Sequence, residues 1–356
     1  MANQWQGVLR EWADVLDVTD ASTVVTLGEG GTPLIESRAL SAMTDARVLV
    51  KFEGLNPTGS FKDRGMTVAV SRAVERGAAA IACASTGNTS AAAAAYAAAA
   101  GIQAIVLVPE GRISMGKLAQ SVVHGARIVQ IRGNFDDCLE ISKELAERYP
   151  VHLVNSVNDD RIEGQKTAAL EIIDVLGDAP DIHIMPVGNA GNITSYWRGF
   201  SQAATAGTAT KRPRMIGFQA AGAAPIVRGE VVREPDTVAT AIRIGNPASW
   251  QQALAAREES GGYIGAIEDA EILRAQRLLA SSTGVFVEPA SAISVAGLLE
   301  RHAAGEIPAG ATVTLTVTGH GLKDAAWGLR LEDGSDATPE SADADTTQVA
   351  QMLGLA

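Results

Sequence analysis

Lys62 stands within Asn56-Pro57-Thr58-Gly59-Ser60-Phe61-Lys62-Asp63-Arg64-Gly65. Pro57 and Gly59 make a turn, and Ser60 with Asp63 has the spacing of a capping box opening a helix. Lys62 then falls in the first helical turn, where the positive end of the macrodipole disfavours an ammonium by roughly 0.3–1 kcal/mol. A lysine that must present a free amine gains from that field, because a lowered pKa exposes the lone pair for attack on a carbonyl. Taken alone, Lys62 reads more readily as a solvated lysine balanced by Asp63, and the rest of the sequence overturns that reading.

Three further loops have the composition of ligand contacts. Gly188-Asn189-Ala190-Gly191-Asn192 lies between an apolar strand and a helix. Its small residues let backbone N–H groups approach an anion at the helix start. Ser85-Thr86-Gly87-Asn88-Thr89 has the same strand-to-helix placement, with hydroxyls and N–H groups suited to a carboxylate. Thr316-Val317-Thr318-Gly319-His320-Gly321 ends an apolar strand, where open α/β sheets bind ligands. His320, between two glycines, reads as a loop-shaping residue rather than an acid or base. Gly111 to Lys117 fits GxxxxGK, but Leu118 stands where Ser or Thr would hold Mg²⁺, so triphosphate binding is rejected there. No HExxH, His/Cys cluster or GxSxG occurs, so neither a metal hydrolase nor a nucleophile elbow is expected.

These loops need rigid elements behind them. Strands are expected at 47–52, 80–84, 104–108, 127–131, 182–187, 215–219, 285–287 and 312–317. Helices are expected at 60–76, 117–124, 136–148, 163–176, 269–280 and 291–302, with an alanine helix ended by Gly101 and another from Ile193. Strand–helix alternation of this kind makes parallel sheets covered on both faces. The βα units are too many for one ordinary sheet, so the expectation is an α/β fold of two doubly wound domains. Residues 333 to 346 are acidic and lack core residues, and the closing VAQMLGL is expected to dock as a short helix.

The chain has 356 residues, 46% hydrophobic and 20% charged, which is a globular balance. A formal net charge of −12 argues against nucleic acid or an anionic membrane as the main partner. Cys83 and Cys138 are the only cysteines and form no CxxC, which together with the lack of a basic-then-apolar N-terminus suggests a cytoplasmic protein.

Taken together, SFKDRG, STGNTS, GNAGN and TVTGHGLKD, in that order, resemble the fold type II (β-family, tryptophan-synthase-β-like) pyridoxal-phosphate enzymes, and NPTGSFKDRG with GNAGN resembles the threonine synthases among them. The likeness spans roughly residues 20 to 328. It implies two mainly parallel three-layer domains with pyridoxal 5'-phosphate in the cleft between them. Residues 1–61 with 153–332 would form the large cofactor-binding domain, 62–152 a smaller mobile one, and 333–356 an acidic tail. Lys62 would carry the cofactor as a Schiff base and later move protons, beside Phe61. Gly188, Asn189, Ala190, Gly191 and Asn192 would hold the cofactor phosphate, Asn88 would bond the ring oxygen, and Thr318 would face the pyridine nitrogen.

The implied substrate is O-phospho-L-homoserine. Ser85, Thr86, Asn88 and Thr89 would meet its carboxylate end, and Asn155, Ser156, Arg161 and Asn189 its phosphate. A pair between Arg161 and Asp159 or Glu163 is the competing reading for that arginine, and Lys117 is a further candidate. The implied reaction is β,γ-elimination of phosphate followed by addition of water, giving L-threonine, in a homodimer. A threonine or serine dehydratase on the same cofactor would need no second phosphate site, and a non-catalytic cofactor-binding homologue would need no intact Lys62.

Overall fold

The computed structural model describes residues 4–18, 20–110, 115–156, 158–330 and 335–355. Short runs rich in β-branched and aliphatic residues form its strands, the central ones mostly buried on both faces as parallel sheets require and the edge strands partly exposed. One sheet uses β1 (Leu34–Glu36), β2 (Arg47–Phe52), β7 (Ile182–Pro186), β8 (Arg214–Ala220), β9 (Tyr263–Ile267) and β10 (Thr312–Val317). Its order is β1-β2-β10-β7-β8-β9, parallel throughout except where β1 pairs antiparallel with β2. The second sheet uses β3 (Ala80–Ala84), β4 (Gln103–Pro109), β5 (Arg127–Ile131) and β6 (Val151–Leu153) in the all-parallel order β5-β4-β3-β6.

Each order contains a reversal. In the large sheet β7, β8 and β9 step one way, and β10 returns to the other side of β7. In the small sheet β3, β4 and β5 step one way, and β6 returns beside β3. Connections leaving adjacent strands in opposite directions open a crevice at their C-terminal ends. The Gly188 and Thr318 loops follow β7 and β10. The Ser85 and Asn155 segments follow β3 and β6.

The large sheet is covered on both faces. Ile272, Leu279, Ile293 and Leu298 pack with Val48, Val50 and Leu315 on one side. Ala169, Ile173, Ile193, Tyr196 and Phe200 pack with Met185 and Met215 on the other. The helix Asn88–Ala100 is buried from Ser90 to Ala97, an alanine face narrow enough to lie directly on the small sheet, and Gly101 ends it at φ 68°.

The helices Lys62–Glu75 and Asp159–Leu176 cross at two glycines. A methyl on Gly164 would lie 2.0 Å from the Arg64 carbonyl oxygen, and one on Gly65 would lie 2.7 Å from that of Arg161. Behind the crossing is a buried charge quartet. Arg64 Nε meets Glu53 at 2.6 Å, Arg64 Nη2 meets Glu171 at 2.7 Å, and Lys51 Nζ meets Glu171 at 2.6 Å. Burial alone would lift the Glu171 carboxyl, but Arg64 and Lys51 hold it at about 2.

Several expectations are corrected here. The helix begins at Lys62, with Phe61 as N-cap and no side-chain cap. Ser60 instead bridges to Gly319, and Asp63 accepts from the Thr58 N–H at 2.7 Å and hydroxyl at 2.6 Å, closing the preceding turn. The expected strand at 285–287 is a single bridge between Val287 and His320. The tail forms a helix at Thr346–Met352 that buries none of its residues. The GxxxxGK segment and the Lys117 side chain lie outside what is described. Among the described residues no helix is long and apolar enough to cross a membrane, and no His/Cys/Asp/Glu group could hold a metal.

Candidate active site

The turn before Lys62 is sewn to the end of β10. The Phe61 N–H donates to the Thr318 carbonyl at 3.0 Å, and the His320 N–H donates to that of Gly59 at 2.9 Å. Lys62 therefore starts its helix against the Thr318 loop, half-buried, with Nζ 4.4 Å from the centre of the Phe61 ring. Burial, and then the Arg161 guanidinium, push its ammonium well below the ordinary lysine range, while Glu288 opposes them. That is the direction a nucleophilic amine requires. Burial likewise lifts the neighbouring Asp63 carboxyl to about 7, against the bonds from Thr58.

At the end of β7 the backbone turns sharply. Ala190 takes φ 65°, a left-handed conformation that disfavours an L side chain by roughly 1–2 kcal/mol, and Gly191 begins the helix Gly191–Ala206. The first N–H groups of that helix have no intrahelical partner. Asn192 is buried, yet neither its amide nitrogen nor its amide oxygen has a partner. Gly188 is close to the facing wall, since a methyl there would lie 3.0 Å from Ile242 Cα. Helix-start donors beside an unmatched buried amide fit a phosphate group, whose oxygens would satisfy both.

Asn189 holds this loop in place. Its amide donates to Ser156 Oγ and accepts the Ala248 N–H at 2.6 Å, while its carbonyl accepts from Ser249 at 3.2 Å. Ser156 follows β6, so this contact joins the crevice of one sheet to that of the other. Asn88 makes a second such join, its amide donating to the Glu288 carboxylate at 3.1 and 3.3 Å.

Arg161 is fully buried on the helix Asp159–Leu176. Nη1 donates to the Val154 carbonyl at 3.2 Å, and Nε and Nη2 have no partner. Burial lowers its pKa to about 10. Of the two competing carboxylates, Glu163 is engaged elsewhere, since it meets Arg198 at 2.6 Å and also pairs with Lys166. Two unmatched guanidinium nitrogens in the interior have the chemistry to hold an anion.

The remaining expected residues divide. Ser85 accepts the Gly87 N–H at 3.2 Å, the half-buried Thr86 lies beside it on the loop, and the half-buried Thr89 is in the first turn of the helix Asn88–Ala100. Asn155 differs from its expected role, since its amide clamps the Ala84 backbone, accepting its N–H at 3.0 Å and donating to its carbonyl at 3.1 Å. It fixes the end of β3 with the groups it was expected to turn toward an anion. His320 accepts the Leu322 N–H through Nδ1 at 3.1 Å and stacks on Phe52, which is the loop-shaping role.

Glu288, the N-cap of the helix Pro289–Ala303, and Ser291, in its first turn, were missed by the sequence reasoning. Both are buried, and Ser291 bonds the Thr318 hydroxyl at 2.8 Å. The one sequence signal was a carboxylate before Pro289 inside an apolar run, with proline at the first helical position.

Comparison with known proteins places these loops in a wider setting. The pattern of a family described as Pyridoxal-phosphate dependent enzyme matches residues 25–319. Threonine synthase of Mycobacterium tuberculosis is 57% identical over 353 residues, covering 99% of this chain and 97% of that protein. Threonine synthase of Synechocystis is 57% identical over 325 residues, covering 91% of this chain and 85% of that protein. Among solved structures, maize serine racemase superposes with a TM-score of 0.73 at 21% identity, covering 90% of this chain and 94% of that one, and so supports the fold alone.

Proposed function

The chain belongs to the pyridoxal-phosphate dependent enzymes, its activity is that of a threonine synthase, and from that premise we propose which residues hold the cofactor and the substrate. Pyridoxal 5'-phosphate supplies, when bound, a carbonyl carbon for amines and a ring that takes up negative charge from Cα. Lys62 holds it as a Schiff base. The turn Gly188–Asn192 takes its phosphate, Asn88 its ring oxygen and Thr318 its pyridine nitrogen.

The substrate is O-phospho-L-homoserine. Ser85, Thr86 and Thr89 receive its carboxylate, and Arg161, with Ser156 and Asn189, receives its phosphate. Lys62, its amine freed, would take the Cα proton, and a proton would leave Cβ as the bond from Cγ to the phosphate oxygen breaks. Protons would return at Cγ and, once water has added at Cβ, at Cα. Arg161 stabilises the charge that builds on the phosphate oxygen as the bond to Cγ breaks. Phosphate kept in place orients the water that adds at Cβ, and L-threonine results. Closure of a smaller domain, residues 62–152, over a larger one, residues 1–61 with 153–332, excludes bulk water until that addition. We take the working molecule to be a cytoplasmic homodimer.

One observation carries the choice of reaction: the buried Arg161, with two unmatched nitrogens, supports an anion site separate from the Gly188–Asn192 turn. A dehydratase has no use for it. Incubating the cofactor-loaded protein with O-phospho-L-homoserine is expected to release threonine and phosphate in equal amounts. Formation of 2-oxobutyrate from added threonine, with no threonine made from the phosphorylated substrate, would reassign it to the dehydratases.

A further inference from the structure

Ser291 Oγ is fully buried and surrounded by hydrogen-bonding groups whose directions can be counted. It accepts the Thr318 N–H at 2.9 Å and the Gly319 N–H at 2.8 Å. A hydroxyl oxygen has two lone pairs and one proton. Two amide donors occupy both lone pairs, so the proton is the only bond Ser291 has left to give. Its candidate acceptors are Thr318 Oγ1 at 2.8 Å and the Gly319 carbonyl at 3.4 Å, and the shorter distance decides for Thr318. The Gly319 carbonyl also already accepts the Glu288 N–H at 3.1 Å.

The count then passes to Thr318. Its hydroxyl oxygen accepts a hydrogen bond from Ser291 and cannot donate one back. Among the described residues Thr318 Oγ1 has no other hydrogen-bond partner, so its own proton is directed away from Ser291. Ser291 is held in place for this. Its N–H donates to the Glu288 carbonyl at 2.9 Å in the first turn of Pro289–Ala303, and the residue has no solvent-exposed surface into which to swing.

We propose that Ser291 is a positioning residue that fixes the polarity of the Thr318 hydroxyl, making it a donor toward the pyridine nitrogen of the cofactor. The inference rests on the reading of Thr318 given above and adds the direction of the bond. A nitrogen that faces a donor keeps its lone pair and stays unprotonated. A Thr318 hydroxyl free to turn would instead offer a lone pair, and the nitrogen would then take a proton as pH falls.

Cofactor labelled with ¹⁵N at the ring nitrogen reports this directly when bound to the full-length protein. In the native enzyme the ¹⁵N shift is expected at the unprotonated value and flat over the pH range of stability. A pyridinium shift there would overturn the proposal. In Ser291→Ala the shift is expected to move upfield at low pH and to titrate. A flat, native-like shift in that variant, with its imine absorbance retained, would also overturn it. Should the alanine variant fail to fold or to hold the cofactor, Ser291→Cys is read instead. Its thiol is a weak acceptor and a weak donor, so a partial titration is expected, and a flat profile would count against the idea. Absence of the imine band from the native protein is a separate outcome, removing the cofactor reading and this one with it.

Discussion

Lys62, half-buried, and Arg161, fully buried, are each intelligible only with a partner that arrives from outside. Lys62→Ala is expected to abolish the imine absorbance and turnover together, and spectra with activity assays of the variant check both. Arg161→Lys keeps the charge but loses the planar fork, whose charge-assisted bonds contribute about 1.5–3 kcal/mol each. A drop in kcat/KM of roughly 10²-fold for the phosphorylated substrate is expected, with the imine band unchanged, and steady-state kinetics beside a spectrum tests it. His183 is a different kind of buried base. It bonds Thr314 at 2.7 Å and Thr316 at 3.1 Å, stacks on Tyr196, and burial pushes its pKa down to about 3. In the unfolded chain it takes a proton near 6.5, so that state binds more protons between pH 6.5 and 3. Stability should therefore fall as pH drops through that window, by on the order of 5 kcal/mol at most from this residue. Urea midpoints measured against pH for the native protein and for His183→Gln should show a shallower acid slope in the variant.

Among the elements, the crossing of Lys62–Glu75 with Asp159–Leu176 sets the distance between Lys62 and Arg161. Gly164 makes the crossing possible, because the carbonyl it faces is backbone and cannot turn aside. Gly164→Ala should cost about 3 kcal/mol or more and weaken phosphate binding as the helices part, which denaturation and substrate titration would show. The sequence made many elements legible. β2 carries the aliphatic run Val48-Leu49-Val50, β10 alternates threonine with Val313, Leu315 and Val317, and Gly101 and Gly177 end their helices in the left-handed conformation their positions suggest. β1 and β6 are three residues each, too short for any period to register, and Gly265 interrupts the pattern of β9. The capping box failed because Asp63 found a stronger local partner in the Thr58 turn. Glu288 and Ser291 stayed hidden for another reason. They act on Asn88 and Thr318 through contacts 200 and 27 residues away in the chain, and only the fold supplies those.

At the scale of the molecule, the two sheets meet through polar ties near the site. Lys323 donates to the Thr58 carbonyl at 2.6 Å and to Gln120, joining the turn before Lys62 to the helix Met115–Val123. The tail takes no part in this. A chain truncated after Ser335 is expected to melt within about 1 °C of the full-length protein, since the helix it loses buries nothing, and calorimetry would decide. The charge quartet of Lys51, Glu53, Arg64 and Glu171 bears on the history open to the chain. Its charges cancel two against two, so removing any one leaves an unmatched buried ion at about 3–5 kcal/mol, whereas exchanging all four for well-packed apolar residues can be neutral. A lineage that changes one residue at a time must cross a deep valley to reach that equally fit alternative. The quartet can thus outlast whatever first selected it, held by the inaccessibility of its replacements.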